Sequence, residues 1–371
     1  MSTFEYDMLM ALISLDYIRI CTARITFFWI NINQRMIAKK VAPFFCVLSV
    51  LTAFACVKKI DFNFKPQVVP SGQLSSVPVA ENNFKVIGYV PEWSLGSTSI
   101  QFDKVTHLNY AFLLPTKEGN LNPIEDVYLL KDLVTKAHQN KVKVLISIGG
   151  WNHGDDSAFK SISKNTDYTK NFAKQIINLV DIYDLDGVDI DWETPKFGEN
   201  DKNFINLMKT LSQSIHDKKK LITIAIPSMD ADGILSEVFQ YIDWANVMAY
   251  DSFYDLSNHS SYALAIASLN YWKQKGLSRE KTVLGVPFYG RARKEYDWLS
   301  YILYRDLVGQ GANPNLDNTN GTMYNGIATI KMKTNLALKT VSGIMAWELS
   351  GDTNDKNSLL NAINEEKLNF R

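Results

Sequence analysis

Residues 185–193 read Leu185-Asp-Gly-Val-Asp-Ile-Asp-Trp-Glu193, with apolar and acidic side chains alternating strictly after the glycine. Alternation of period two is the pattern of a β-strand, whose successive side chains point to opposite faces. Asp189, Asp191 and Glu193 therefore share one face, rising along one line about 7 Å apart by strand geometry, and Val188, Ile190 and Trp192 share the other. A solvated edge strand does not account for the intervening Val and Ile. A metal site would usually add histidine, yet His107, His138, His153, His216 and His259 form no spaced pair. What fits is a strand packed by its apolar face beneath helices, with its acids lining an interior.

Outward from this strand, short β-rich apolar runs alternate with longer runs of helical period. Strands are predicted over 86–90, 105–112, 142–148, 187–192, 221–226, 244–250, 282–288 and 343–347, and amphipathic helices over 127–141, 168–183, 203–218 and 263–275 among others. Eight alternations predict an α/β fold, a (β/α)8 TIM barrel of parallel strands whose site gathers at their C-terminal ends. The rival is an open doubly wound sheet, and the lack of a glycine-rich phosphate loop after the first strand weakens it. Strands seven and eight are separated by about 50 residues, 294–342, which must also supply a helix over 327–339. That leaves no room for a large α+β insertion domain.

The whole chain has 371 residues, 39 Lys+Arg against 39 Asp+Glu, and 46% hydrophobic residues. Such an apolar fraction supports a full core and excludes a disordered or collagen-like chain. Zero formal charge leaves no basic footprint for nucleic acid. Cys21, Cys46 and Cys56 all fall in the first 56 residues, so the rest has no disulfide, thiol nucleophile or cysteine metal ligand. Residues 1–55 read as a leader. Arg35, Lys39 and Lys40 flank Met36, which fits as the true start, and precede an apolar run over 41–55, the pattern of a secretory signal and not of a membrane span. Because Cys56 follows Ala55 directly, the run resembles a bacterial lipoprotein signal in which Cys56 would be lipidated; a plain signal with an incidental cysteine is the alternative. Residues 56–83, with Pro66, Pro70, Gly72 and Pro78, read as a linker, and 84–371 as one catalytic barrel. The expected location is secreted or on the surface of a bacterium, with the membrane met only through that anchor.

Like charges stacked in a partly desolvated channel cannot all ionise, so at least one of the three acids holds a proton near neutral pH. Glu193, nearest the rim, is the natural donor, and Asp191 and Asp189 can share a proton behind it. At this point the residues carry a resemblance. Asp186-Gly-Val-Asp-Ile-Asp-Trp-Glu193 resembles the signature of family 18 glycoside hydrolases, the chitinases and their relatives. Ser147-Ile-Gly-Gly150, Met248-Ala-Tyr-Asp251, Gly285-Val-Pro-Phe-Tyr-Gly-Arg291 and Trp347 are similar to further motifs of that family, in order and on the expected strands.

The resemblance implies a monomeric glycosidase acting on chitin or other oligosaccharides of β-1,4-linked N-acetylglucosamine, with no cofactor or metal. Retaining glycosidases normally hold a second carboxylate about 5–5.5 Å from the acid, but this family lets the substrate's 2-acetamido group attack instead. By resemblance, Glu193 is the general acid and base, Asp191 stabilises the oxazolinium ion, Tyr250 holds the acetamido carbonyl, and Asp189 is a buried proton reservoir beside Ser147. Sugar rings stack on flat side chains. Trp347 is accordingly expected to floor the cleft, with Tyr89, Trp93, Phe112, Gly150, Trp151, Met248, Asp251, Tyr289 and Arg291 at positions that line it. Core packing is the alternative for each, above all for Met248. Asn152, His153 and Trp298 sit on the same rim with no role assigned. Thr194 stands where the family usually has tyrosine, and the short 294–342 connection implies a shallower, more open cleft, hence endo-acting or oligosaccharide-cleaving behaviour. Two other functions stay in view: an endo-β-N-acetylglucosaminidase on N-glycans, and a non-catalytic chitin-binding lectin, whose kind generally loses the glutamate kept here at 193.

Overall fold

The computed structural model describes residues 83–370 apart from 194, 197, 253–257 and 293–300; the leader, the linker with Cys56, Thr194 and Trp298 lie outside the described residues. In chain order the strands are β1 (Lys85–Pro91), β2 (His107–Leu113), β3 (Lys143–Gly149), β4 (Gly187–Asp191), β5 (Leu221–Pro227), β6 (Trp244–Met248), β7 (Thr282–Pro287), the short β8 (Tyr289–Ala292), β9 (Tyr301–Leu303), β10 (Asn318–Thr319) and β11 (Thr322–Met323), and finally β12 (Gly343–Trp347). Between and after them run α1 (Val127–Gln139), α2 (Ser157–Lys164), α3 (Thr166–Ile182), α4 (Asp201–Asp217), α5 (Tyr262–Gln274), α6 (Tyr304–Gly309), α7 (Ile327–Thr340) and α8 (Leu359–Asn369). β1, β12, β7, β6, β5, β4, β3 and β2 pair in that order, parallel throughout, and close into a barrel. The fold is the expected (β/α)8 barrel.

Strand parity sorts the side chains into two apolar clusters. Val188 and Ile190 point outward and join one large cluster with helix residues such as Phe172, Ile176, Phe204 and Leu211. A smaller cluster of Ile87, Tyr89, Ala111, Trp244, Tyr250, Val283, Tyr289 and Met345 fills the barrel interior. β4 stops at Asp191, yet the alternation carries on for one more residue: Trp192 is buried beneath the helices, stacked on Phe159 (centroids 5.3 Å, 7°) and edge-on to Phe204 (5.4 Å, 77°). Full burial of an aromatic of this kind is worth about 1.5–3 kcal/mol, so the outer packing holds β4 in register while its acids face inward.

The helices follow the same logic. Asn165 caps α3 by accepting the amides of Asp167 (2.9 Å) and Tyr168 (3.2 Å), and Phe172, Ala173, Ile176 and Val180 form the buried stripe that lies on the barrel. That cap starts the helix two residues before the predicted 168. The connection between β7 and β12 is richer than one helix: α7 lies where it was expected, but β10, β11, β8 and β9 also form a small antiparallel sheet, with α6 between β9 and β10 in the chain. Strands of two to four residues carry no readable period, so the sequence offered no signal for this sheet.

Candidate active site

The strand register brings the interior polar residues together. Ser147 on β3 and Thr223 on β5 sit level with Asp189 on β4, and Gly149 sits level with Asp191. Asp189 is fully buried and accepts four hydrogen bonds: from Tyr89 Oη (2.7 Å) and Ser147 Oγ (2.8 Å) on Oδ2, and from Thr223 Oγ1 (2.5 Å) and Asn246 Nδ2 (3.3 Å) on Oδ1. Burial raises its affinity for a proton, and the four donors pull that affinity back down.

Asp191 has no such support. It is buried, its Oδ1 has no hydrogen-bond partner among the described residues, and burial together with the charges of Glu193 and Asp189 holds its carboxyl well above the usual carboxylate range. Two buried carboxyls stacked in this way can hold one proton between them, with burial favouring the protonated form of both. Glu193, just beyond the strand and partly exposed at the rim, is pushed up to about 7 by burial and then by the charge of Asp251. Asp251 keeps that charge. The Arg291 guanidinium grips it with Nε and Nη2, each 2.7 Å away, and His259 Nδ1 lies 3.2 Å off, holding its carboxyl far below the usual range against the cost of burial.

Aromatic side chains close the space above the acids. Phe112 stacks on Trp347 (5.2 Å, 20°), and Tyr89 meets Trp347 edge-on (5.5 Å, 63°). Gly149 and Gly150, at φ +112° and +84°, let the end of β3 pass under them: a Cβ on Gly149 would lie 2.3 Å from the Asp191 carbonyl oxygen, and one on Gly150 2.7 Å from the Phe112 ring. Gly150 donates its amide to the same Asp191 carbonyl at 3.0 Å. Trp151, 54% exposed, then forms one wall of a hollow shared with Gly150, Asn152, Asp156, Asp191 and Glu193. Tyr250 is buried in the interior cluster, its hydroxyl kept protonated by burial and the surrounding carboxylates.

The predicted residues thus divide. Glu193, Asp191, Gly150 and Trp151 line one hollow, the Phe112 ring lies against Gly150 and stacks on Trp347, and Tyr250, Asp251 and Arg291 join the acids through electrostatics or direct bonds. Trp93 is on the surface at 60% exposure, and Met248 packs partly buried against the interior cluster. Tyr89 and Tyr289, expected to line the cleft, are interior instead, because their positions on strands place them on the inward face below the rim; Tyr89 spends its hydroxyl on Asp189, where Ser147 also donates, beside Asp189 as expected. Reading the sequence missed Thr223, Asn246 and His259. The first two were findable as polar residues at inward positions of otherwise apolar strands; His259 stands in a loop, where no period marks it.

Parallel strands closed into a barrel, with stacked carboxylates at their C-terminal ends, define a barrel enzyme of the TIM class. The chain belongs to the glycosyl hydrolases family 18, whose family model matches residues 85–352. Among solved structures it is similar to a chitinase from Bacteroides thetaiotaomicron, at 30% identity over 77% of this chain and 97% of that one with a TM-score of 0.69. A family 18 chitinase from the chitin utilization locus of Flavobacterium johnsoniae is similar too, at 30% identity over 77% and 94% with a TM-score of 0.67. Among curated proteins, chitinase A1 of Niallia circulans is 25% identical over 71% of this chain and 48% of its own length. The chain spans about half the length or less of three such curated relatives, 12%, 48% and 51%.

Proposed function

We propose that this chain hydrolyses chitin or its oligosaccharides with retention, by substrate-assisted catalysis. One observation carries the reading: Asp191, buried between Asp189 and Glu193 with an unpartnered oxygen, is a carboxyl whose missing hydrogen bond matches an acetamido N–H. Glu193 gives its proton to the glycosidic oxygen as the acetamido carbonyl oxygen attacks C1, forming the oxazolinium ion and releasing the leaving chain. Asp191 turns its charge toward the ring nitrogen while its proton passes to Asp189, and the Tyr250 hydroxyl fixes the acetamido carbonyl. Water then adds to C1 and returns a proton to Glu193. Asp251 is no nucleophile in this scheme, since Arg291 occupies both of its oxygens. Cys56 is proposed to anchor the secreted enzyme, which mass spectrometry of the mature N-terminus would check.

Hydrolysis of a chitooligosaccharide series, with product anomers read early by NMR, is the direct test. Initial β-anomer is expected; initial α-anomer, or no turnover of any oligomer, would remove the proposal. The pH dependence follows from Glu193. A general acid works protonated, so kcat/KM, which reports the free enzyme, should fall as pH rises through about 7. A profile that stays flat well above neutrality contradicts Glu193 as the donor.

A further inference from the structure

Lys333 on α7 is fully buried, an expensive place for an ammonium group, and no carboxylate lies within ion-pair distance of it among the described residues. Its three donors are instead all spent at 2.7 Å: on Ser260 O, Ser260 Oγ and Asn325 Oδ1. Ser260 Oγ in turn donates to the carbonyl of Ala249 at 2.7 Å, the residue before Tyr250. One residue back, the carbonyl of His259 accepts the amide of Ser252 at 3.0 Å, while its ring meets Asp251. The dipeptide His259-Ser260 therefore touches residues 249, 251 and 252 from one side. Asn258 Oδ1 holds the Ser260 amide at 2.9 Å, and Asn325 Nδ2 holds its carbonyl at 2.9 Å.

The segment so held is one that needs holding. Asp251 sits at φ +55°, in the left-handed region that a non-glycine residue occupies only when its surroundings over-determine it. The geometry points to Lys333 as a positioning residue for the reaction: through Ser260 it fixes the backbone that aims Tyr250 at the acetamido group and Asp251 at Arg291 and Glu193. This role rests on the substrate-assisted reading above. Burial lowers the affinity of Lys333 for its proton, to about 7, with Asp317 opposing. Asp317 itself is occupied by the Gly326 amide and the Thr329 hydroxyl, so the amine is held by neutral oxygens and not by a partner charge.

Two variants test it. Lys333→Met keeps the stem and removes the donors; Ser260→Ala removes only the bridge to Ala249 and leaves Lys333 two acceptors. The readouts are kcat and KM on a soluble chitooligosaccharide, and the inhibition constant of a thiazoline analogue in which sulfur replaces the oxazolinium ring oxygen. Displacing a catalytic group by an ångström costs on the order of 10²-fold in rate. Expected losses in kcat are about tenfold for Ser260→Ala and up to about 10²-fold for Lys333→Met, with KM nearly unchanged and thiazoline affinity weakened in step with kcat. A purely structural role would lower the folded fraction and leave the thiazoline constant where it was. Should Lys333→Met not fold, Ser260→Ala decides alone. Unchanged kcat and thiazoline affinity in folded variants of an active wild type overturn the role of Lys333 only; a wild type inert toward both oligosaccharide and thiazoline overturns the functional reading, and this role with it.

Discussion

Replacing Glu193 by glutamine is expected to lower turnover of chitooligosaccharides by roughly 10³-fold, about 4 kcal/mol of barrier, while oligosaccharide affinity stays within a few-fold of wild type. Glutamine has the shape of the protonated acid and can still donate a hydrogen bond, but an amide cannot hand a proton to a departing sugar oxygen. The wall around residue 193, made by Gly150, Trp151 and Asp191, does not depend on its charge for packing, so the cleft should survive the change. Removing the Glu193 charge also relieves one of the two repulsions on Asp191, so the Asp191 carboxyl should drop toward the ordinary range without regaining a donor. Single-turnover rates set beside calorimetric affinities make the measurement. Turnover within tenfold of wild type would mean the donor is elsewhere, and a wild type that binds but never turns over would favour the lectin alternative.

The barrel was legible because its signals are repetitive: eight apolar runs at strand length, each followed by a helical period, leave little choice of topology, and one strand with acids on alternate residues says which face is interior. The inner hydrogen bonds were only half legible. Ser147 could be placed beside Asp189 because the two motifs lie on neighbouring strands, and Thr223 is level with Asp189 on the other neighbour but carries no motif, whereas Asn246 on β6, paired with Ala225, reaches Asp189 only through the stagger of the closed barrel. The same closure explains why Tyr89 was misplaced: the family resemblance marks it as part of the site, but only the closed barrel brings its hydroxyl to Asp189 on β4, 2.7 Å away. His259, Ser260 and Lys333 come from a loop and a helix 73 residues apart for the last pair, a contact with no local pattern in the sequence.

Substituting Asp191 by asparagine should separate two effects that the stacked acids combine. Asparagine fills the same buried space and can still accept a hydrogen bond from the acetamido nitrogen, but it brings no negative charge to the oxazolinium ion. Loss of one preorganised electrostatic group at a charge that develops in the transition state costs about 10²–10³-fold, and kcat should fall by that amount, with a smaller change in KM. The alkaline limb of kcat/KM, by contrast, should stay near neutrality. Burial and the charges of Glu193 and Asp189 favour the protonated form of Asp191, and what raises Glu193 is burial and the fixed charge of Asp251, so those two set the limb. Asp251 is untouched by the substitution, gripped by Arg291 and His259. The expected result is therefore a tall drop in rate under an unmoved limb. Were the limb to shift by a full unit, Asp191 would have to be ionised in the free enzyme, and the shared proton assigned to the Asp189–Asp191 pair would be wrong; were kcat to fall by less than tenfold, the oxazolinium ion would not depend on this carboxylate, and the substrate-assisted step would lose its main support.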